Sequence, residues 1–434
     1  MVVEDTGEIR HISALSGRQN GQPVRVRGWV YTKRLHGRLI FLTLRDATGL
    51  MQVTVHKGQL PDEEFEAARE VTIESAVMVR GWVTADPRAP GGVEVQCAGF
   101  QVLGRAFDDY PIQVGASKEF LLDKRHLHIR SPTVTAILKV KASFLQGARE
   151  WLAASGFIEV QCPLLINVAC EGGATLFPVD YFTRTAYLSQ SVQLYQEAAI
   201  AALEKVYSVE PSFRAEKSRT RRHLTEFWQI EAEAANTPLS GILKVQEDLL
   251  ATACARVVQR SRAELKTLRR RFTPPQPPFP RITYSRAVEI LRGLDVAFEW
   301  GEDFGAREER LLSQQFSQPF FVTHFPRRCK AFYHDPDPTN SEVTLSADLL
   351  APRGFGEIAG GGQRISDSAV LVASLKEFQL DPADYEWYLD LRRFGSVVHS
   401  GFGMGVERVL RWMLRLPHIR DAALFPRTPA RVSP

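Results

Sequence analysis

The chain has 434 residues, 44% of them hydrophobic and 24% charged, with a formal net charge of +4. That length exceeds one ordinary domain, the composition argues against wholesale disorder, and the mild positive balance permits a nucleic-acid partner without requiring one. No apolar run approaches the ~18 residues of a membrane span, the first residues show no signal-peptide core, and five cysteines without a CxxC argue against a disulfide or zinc scaffold, so a cytoplasmic protein with no membrane association is expected.

Residues 1–104 read as a small antiparallel barrel. VRVRGWV alternates, with Val24, Val26 and Gly28 on one side and Arg25 and Arg27 on the other. LIFLTLRD and LMQVTVHKG keep the same period of two, and VMVRGWV and VEVQCAGFQVLG follow. DEEFEAAREV reads as one helix among them, which gives the five-stranded OB pattern. Residues 105–130 lack a clean period and read as a linker with a short helix. Residues 131–434 read as a large α+β domain. Ser131-Pro132 is a helix start, and Ile137, Val140, Phe144, Ala148 and Trp151 recur on one face until Gly156. FIEVQCPLL, AYLSQS, KVYSVEPSF, EFWQIEAEA, PFFVTHF and CKAFYHD are strand candidates; LSGILKVQEDLLATACARVVQRS and GMGVERVLRWMLR are helices; RRRFTPPQPPFPRI is a surface loop.

Several stretches carry chemistry. FRAEKSRTRRHLTEF, residues 213–227, is a long basic loop between two strands with a phenylalanine at each end. Guanidinium groups fork onto phosphate oxygens and a ring stacks on a base, so the stretch suits a nucleotide, although a salt-bridged surface loop has the same composition. GFGMGVERVLRW, residues 401–412, places a glycine-rich turn before a helix that carries Arg408. FGEIAGGGQRISD places Glu357 and Arg364 on either side of three glycines, on one strand or bulge, with Asp348 nine residues before Glu357. Two such carboxylates can share a Mg²⁺ with substrate phosphates. AYLSQSVQLYQE sets Ser191, Gln193 and Glu197 in an apolar run, and CEGGAT is a mobile glycine loop with Glu171 at its base.

FRAE with RRHLTEF resembles motif 2 of the class II aminoacyl-tRNA synthetases (about 205–233), GMGVER resembles motif 3 (about 401–414), and the helix ending in FIEVQCP resembles motif 1 (about 131–163). SGFGMGVER, IRDAALFPRTP, EGGATLF and GWVYTKRLHGRLIFLTLRD are similar to the aspartyl/asparaginyl subgroup. The resemblance covers essentially the whole chain. It implies an antiparallel catalytic sheet flanked by helices, an anticodon-binding OB barrel, and a homodimer with Pro163 at its interface. It implies that Arg214 holds the ATP α-phosphate, that Arg222 and His223 meet the outer phosphates, and that Phe227 and Arg408 sandwich adenine. Glu216 and Glu226 join the ATP site, and Asp348 and Glu357 bind Mg²⁺. It further assigns Glu171, Ser191 and Gln193 to the α-ammonium group, Arg364 to the side-chain end of the amino acid, and Arg34, Phe41 and Gln52 to the anticodon.

Aspartyl enzymes carry a lysine in the segment that here reads SVQLYQE; Gln196 stands at that place and Glu197 follows. A glutamate accepts from an amide but repels a carboxylate by about 4 kcal/mol at contact with an effective ε of about 20. The resemblance therefore implies asparagine–tRNA ligase activity with L-asparagine, ATP and tRNA(Asn). The alternatives are an aspartyl enzyme of relaxed specificity, a synthetase-derived asparagine synthetase, which would lack the barrel, and an inactive RNA-binding paralogue, which would lack Arg214, Glu357 or Arg408. Gly362 and Val398 depart from the serine and proline common in the family.

Overall fold

The computed structural model describes residues 9–171, 175–217 and 220–434. Gly172, Gly173 and Ala174 of the CEGGAT loop, Ser218 and Arg219 of the basic loop, and residues 1–8 lie outside the described residues. The chain forms two compact units, Met1–Lys118 and Glu119–Pro434.

In the first unit, β1 (Pro23–His36), β2 (Leu39–Arg45), β3 (Leu50–His56), β4 (Ala76–Ala85) and β5 (Val93–Gly104) close a barrel in the order β1-β2-β3-β5-β4, with α1 (Asp62–Glu70) between β3 and β4. The alternation decides which side chains fill it. Val24, Val26, Ile40, Leu42, Leu44, Met51, Val53 and Val55 are buried together, while their polar neighbours point outward.

The second unit opens with α2 (Lys118–Asp123), α3 (Arg125–His128) and α4 (Pro132–Ala154). Arg125 is buried, and its Nε and Nη2 donate to the carbonyls of Leu424 and Ala423 at 2.9 and 2.7 Å. There follow β6 (Ile158–Glu159), β7 (Leu165–Ile166), β8 (Pro178–Tyr181), β9 (Arg184–Leu188), α5 (Gln193–Leu203), β10 (Lys205–Phe213), β11 (Glu226–Ala235), α6 (Leu239–Arg260) and α7 (Arg262–Thr267). The rest comprises β12 (Arg281–Thr283), α8 (Tyr284–Gly293), α9 (Ala306–Ser313), β13 (Phe320–Thr323), β14 (Pro336–Asp337), β15 (Asn340–Thr344), β16 (Ser346–Ala351), β17 (Gly356–Gln363), α10 (Ser368–Glu377), α11 (Glu386–Arg393), β18 (His399–Gly405) and α12 (Val406–Met413).

An eight-stranded sheet, β12-β13-β16-β17-β18-β11-β10-β6, is the centre of this unit. It is antiparallel except at the β12–β13 and β10–β6 pairs. One face packs on α4 and α6. Ile137, Val140, Phe144 and Ala148 of α4 and Ile242, Leu249 and Ala253 of α6 meet Ile230, Ala232, Phe402 and Met404 of the sheet. Ser131 caps α4 by accepting from the Val134 N–H at 3.4 Å, as its place before a proline predicts. The molecule is thus mixed α and β, with a barrel and a helix-flanked antiparallel sheet. Among the described residues no helix is long and apolar enough to cross a membrane.

Three local expectations are corrected. FIEVQCPLL is not one strand. It joins the large sheet through β6, after which the Cys162 N–H turns to Glu210 Oε1 at 2.9 Å and Pro163 has no N–H to offer; Leu165 then pairs in a separate small sheet, as β7 with β9. CKAFYHD is not a strand either, because Phe332 and Tyr333 are held in a satellite core with Tyr385 and Tyr388. The glycines of GFGMG are not a turn: Gly401 and Gly403 lie inside β18, and Gly405 ends it as the N-cap of α12. A Cβ on Gly401 would lie 1.9 Å from Glu233 Oε1, so the strand can pass that carboxylate only as glycine.

Candidate active site

The β10–β11 hairpin and the neighbouring strands β16, β17 and β18 floor a cavity of about 520 Å³, which joins a smaller one of about 50 Å³ through shared Arg214, Gln229, Glu357 and Gly403. Strand period explains the floor. Ile230, Ala232 and Ala234 of β11 enter the core, so Phe227, Gln229 and Glu231 face the cavities.

The smaller cavity is lined by Arg214, Glu216, Arg222, His223, Phe227, Glu357 and Arg408. Each guanidinium has an acidic partner: Arg214 with Glu171, Arg222 with Glu309, and Arg408 with Glu357, all at 2.7 Å. Arg214 also lies 5.6 Å over the Phe227 ring. Burial would raise the Glu357 carboxyl, but Arg408 and Arg222 outweigh it and hold it down at about 2. Burial, then Arg408 and Arg222, push His223 down to about 4, so its imidazole is neutral at pH 7. Glu226 is a correction: it is exposed at the start of β11, bridged to Arg427, and does not line either cavity.

The larger cavity is lined by Glu171, Ser191, Gln193, Glu231, Tyr333, His334, Asp348 and Arg364, among others. Ser191 Oγ donates to Glu231 Oε1, and the Val192 N–H donates to Glu231 Oε2 at 3.0 Å. Burial pushes the Glu231 carboxyl up to about 7. Arg364 is held from behind by Glu233, with Nη2 2.6 Å from Oε1 and Nε 3.1 Å from the same oxygen. Both are almost wholly enclosed, and Arg364 lies 5.1 Å over Tyr333.

Glu197 is the second correction. It does not line the cavity. Its carboxylate accepts from Gln193 Nε2 at 2.9 Å and from the Tyr388 hydroxyl at 2.8 Å, and it pairs with Arg392 and with His399 Nε2, the latter at 3.0 Å. Burial would raise it, but Arg392 and His399 hold it well below the usual carboxylate range. No lone pair is left to meet a substrate amide. Gln196 likewise points into the core, donating to Ser208 Oγ at 3.1 Å and to the Glu231 carbonyl at 3.2 Å. Helical geometry explains both: Gln196 sits on the face of α5 that meets β10 and β11, and Glu197, one residue on, turns to Tyr388 and Arg392 of α11.

Asp348 is the third. It lines the cavity on β16 near Glu357, as expected, but both its oxygens lie 2.7 Å from Lys330 Nζ. The two-carboxylate Mg²⁺ site drawn from the sequence does not fit this arrangement, since Lys330 engages both oxygens of Asp348, whereas Arg408 pairs with Glu357 through Oε2.

Residues 117–429 match the model for class II tRNA synthetases (D, K and N), and residues 24–103 match the OB-fold nucleic acid binding domain. The chain belongs to the class II tRNA synthetases. An asparagine–tRNA ligase of Thermococcus gammatolerans is 52% identical over 417 residues, 95% of this chain and 96% of the relative. A crystal structure of asparaginyl-tRNA synthetase from Pyrococcus horikoshii with asparaginyl-adenylate superposes with a TM-score of 0.95 at 50% identity, covering 98% and 100% of the two chains. A putative aspartyl-tRNA synthetase of Leishmania major reaches 0.88 at 27% identity, covering 100% and 97%.

In this class II chain the sequence reading missed Glu231, Glu233, Lys330 and His334. The alternation of EFWQIEAEA carried the signal for the two glutamates, because polar residues at a period of two on a strand mark its non-core face. Nothing local marks Lys330 or His334. His334 is buried, and burial, Arg364 and Lys330 hold its pKa well below the usual histidine value. Its Nδ1 would be 2.8 Å from a Cβ on Gly362, and the Leu345 carbonyl would be 2.5 Å away. The serine common at that position therefore has no room. In the barrel, Arg34 on β1 pairs directly with Phe41 on β2, and both are at least partly exposed. Gln52 on β3 donates to Glu94 Oε2 at 2.8 Å.

Proposed function

We propose that this chain is an asparagine–tRNA ligase: it joins L-asparagine to ATP as asparaginyl-adenylate, releasing pyrophosphate, and transfers the asparaginyl group to the 3′ end of tRNA(Asn). The carrying observation is the charge balance at Arg364. Its guanidinium is cancelled by Glu233, and Gln196 holds in the core the place where aspartyl enzymes carry a lysine. An aspartate side chain would bring a net negative charge beside Glu231 and Glu233, whereas a carboxamide brings none. The names of the relatives agree with that reading.

The asparagine α-ammonium suits the acidic group formed by Glu171 and Glu231 with Ser191 and Gln193. Its carboxylate then attacks the ATP α-phosphorus in line, and pyrophosphate leaves. Arg214 lies where the two cavities meet, and it neutralises charge on the α-phosphate as the bond forms. Phe227 and Arg408 hold adenine between a ring and a guanidinium, and Glu216, Arg222 and His223 line the same nucleotide cavity. The tRNA 3′-end hydroxyl completes the reaction at the adenylate carbonyl, with AMP as leaving group. ATP enters as its magnesium complex, with Glu357 as the carboxylate for that cation.

Residues 1–104 serve as the anticodon reader, with Phe41 stacking a base and Arg34 and Gln52 beside it. Residues 105–130 link it to the catalytic domain, 131–434. Homodimerisation uses the β6 edge of the sheet and the start of β7, where Ile158 and Leu165, on either side of Pro163, are each 46% exposed. Such a protein works in the cytoplasm, where its tRNA is charged. ATP–pyrophosphate exchange with asparagine and with aspartate, without tRNA, tests the substrate. Exchange with asparagine alone is expected; exchange with aspartate overturns the charge argument.

A further inference from the structure

The reaction as derived gives no work to Lys330, although it lines the cavity. Its Nζ is equidistant, at 2.7 Å, from both oxygens of Asp348, and it rests 3.9 Å from the centre of the Phe325 ring. Lys330 and Asp348 are each only 16% exposed at the side chain. The backbone of Asp348 is fixed, because β16 is an inner strand, paired there with Val322 of β13 and Gly360 of β17. Gly360 lies between Asp348 and Glu357. A Cβ on it would be 3.3 Å from Asp348 Oδ1 and 3.5 Å from Glu357 Oε1, so the two acids converge on one spot of the cavity wall.

We propose that Lys330 is a resident cation of the nucleotide site: its ammonium takes, at Asp348, the place that a divalent ion bridging Asp348 and Glu357 would hold. The proposal rests on reading the smaller cavity as the nucleotide site, with the ATP phosphates reaching the larger one at Glu357, which lines both. Magnesium binds at about 2.0–2.1 Å with near-octahedral demands and usually through one or two carboxylates. An ammonium that donates to both oxygens takes a lone pair on each and cancels the net charge that Asp348 would bring to that role. Phe325 holds the ammonium from the other side through its negative ring face. The cation that travels with ATP is therefore held from the protein side by Glu357 alone, and the ligand-free chain has no tight divalent site at these two acids.

Manganese binding to the ATP-free protein, followed by the EPR signal of free Mn²⁺, tests this directly. The wild type and Lys330→Arg are expected to bind Mn²⁺ weakly at this site. Lys330→Met frees Asp348 and tightens Mn²⁺ binding by about tenfold or more, and adding Asp348→Asn removes the gain. A separate measurement does not depend on the folding of Lys330→Met. Asp348→Asn should leave the half-saturating Mg²⁺ of ATP–pyrophosphate exchange within about threefold of wild type, while Glu357→Gln raises it by about tenfold or more. Tight Mn²⁺ binding by the wild type that Asp348→Asn abolishes would overturn the proposal, since Asp348 would then be an ordinary metal ligand. Failure of exchange with every amino acid would instead fault the synthetase reading and leave the Mn²⁺ result standing.

Discussion

The two ends of the cavity hold their arginines differently. At the nucleotide end, Arg214 and Arg408 pair with acids at side-chain exposures of 27% against 35% and 22% against 28%, and the more sheltered Arg222–Glu309 pair stands at 11% on both sides. At the amino-acid end, Arg364 with Glu233, and behind the wall Arg392 with Glu197, are at 2% or less on both sides. Pairs open to water cost little to separate, so a polyphosphate can exchange its oxygens for the carboxylates. Enclosed pairs are fixed, because either member alone would be a buried charge. One end is built to be rearranged by its ligand and the other to be a rigid gauge.

Arg392→Met should show the largest effect. It strands Glu197 among Tyr388, Gln193 and His399, with an expected loss of about 3–5 kcal/mol in urea unfolding. A loss below about 1 kcal/mol would mean that the enclosed pairs behave like the open ones. Arg214→Ala should reverse the pattern: exchange turnover falls by about 10²–10³, with an unfolding midpoint close to wild type. A large loss of stability there would erase the distinction between the two ends. Gly401→Ala drives a methyl into Glu233, and overpacking of about 1–3 kcal/mol is expected. If the gauge is rigid, the KM for asparagine rises while that for ATP barely moves; equal rises in both would argue for a general distortion.

The smallest effect is in pH. Glu231 is raised to about 7 by burial, and its charged form suits the substrate ammonium. The KM for asparagine should therefore rise as pH falls through about 7, by no more than about tenfold per unit of pH, and Glu231→Gln should flatten that limb. The sign for stability is opposite to that of a salt-bridged acid. The folded chain binds the extra proton, so this carboxyl favours folding in acid and costs stability as pH climbs from the usual glutamate range to about 7.

Much of this was legible in the sequence. The period of two in VRVRGWV and LIFLTLRD placed the barrel core, and the helical recurrence from Ile137 to Ala148 placed the face of α4. Arg214, Arg222, Phe227, Glu357 and Arg408 converge as their motifs implied. The expectations for Glu197 and Asp348 failed in a common way, whereas Glu226 is simply exposed at the start of β11. Residue type and order say that a carboxylate is present, but not which oxygen is already taken. Glu197 is claimed by Arg392 and His399 from more than 190 residues away along the chain, and Asp348 by Lys330.

By itself the sequence determined which faces must be buried and which motifs meet a nucleotide, because periodicity and short motifs are local properties of the chain. Only the tertiary structure decided which charges cancel, that Gly401 must yield to Glu233, and that Lys330 occupies Asp348. Charge pairing acts over a few ångströms in space, and strands distant in sequence are what bring those atoms together.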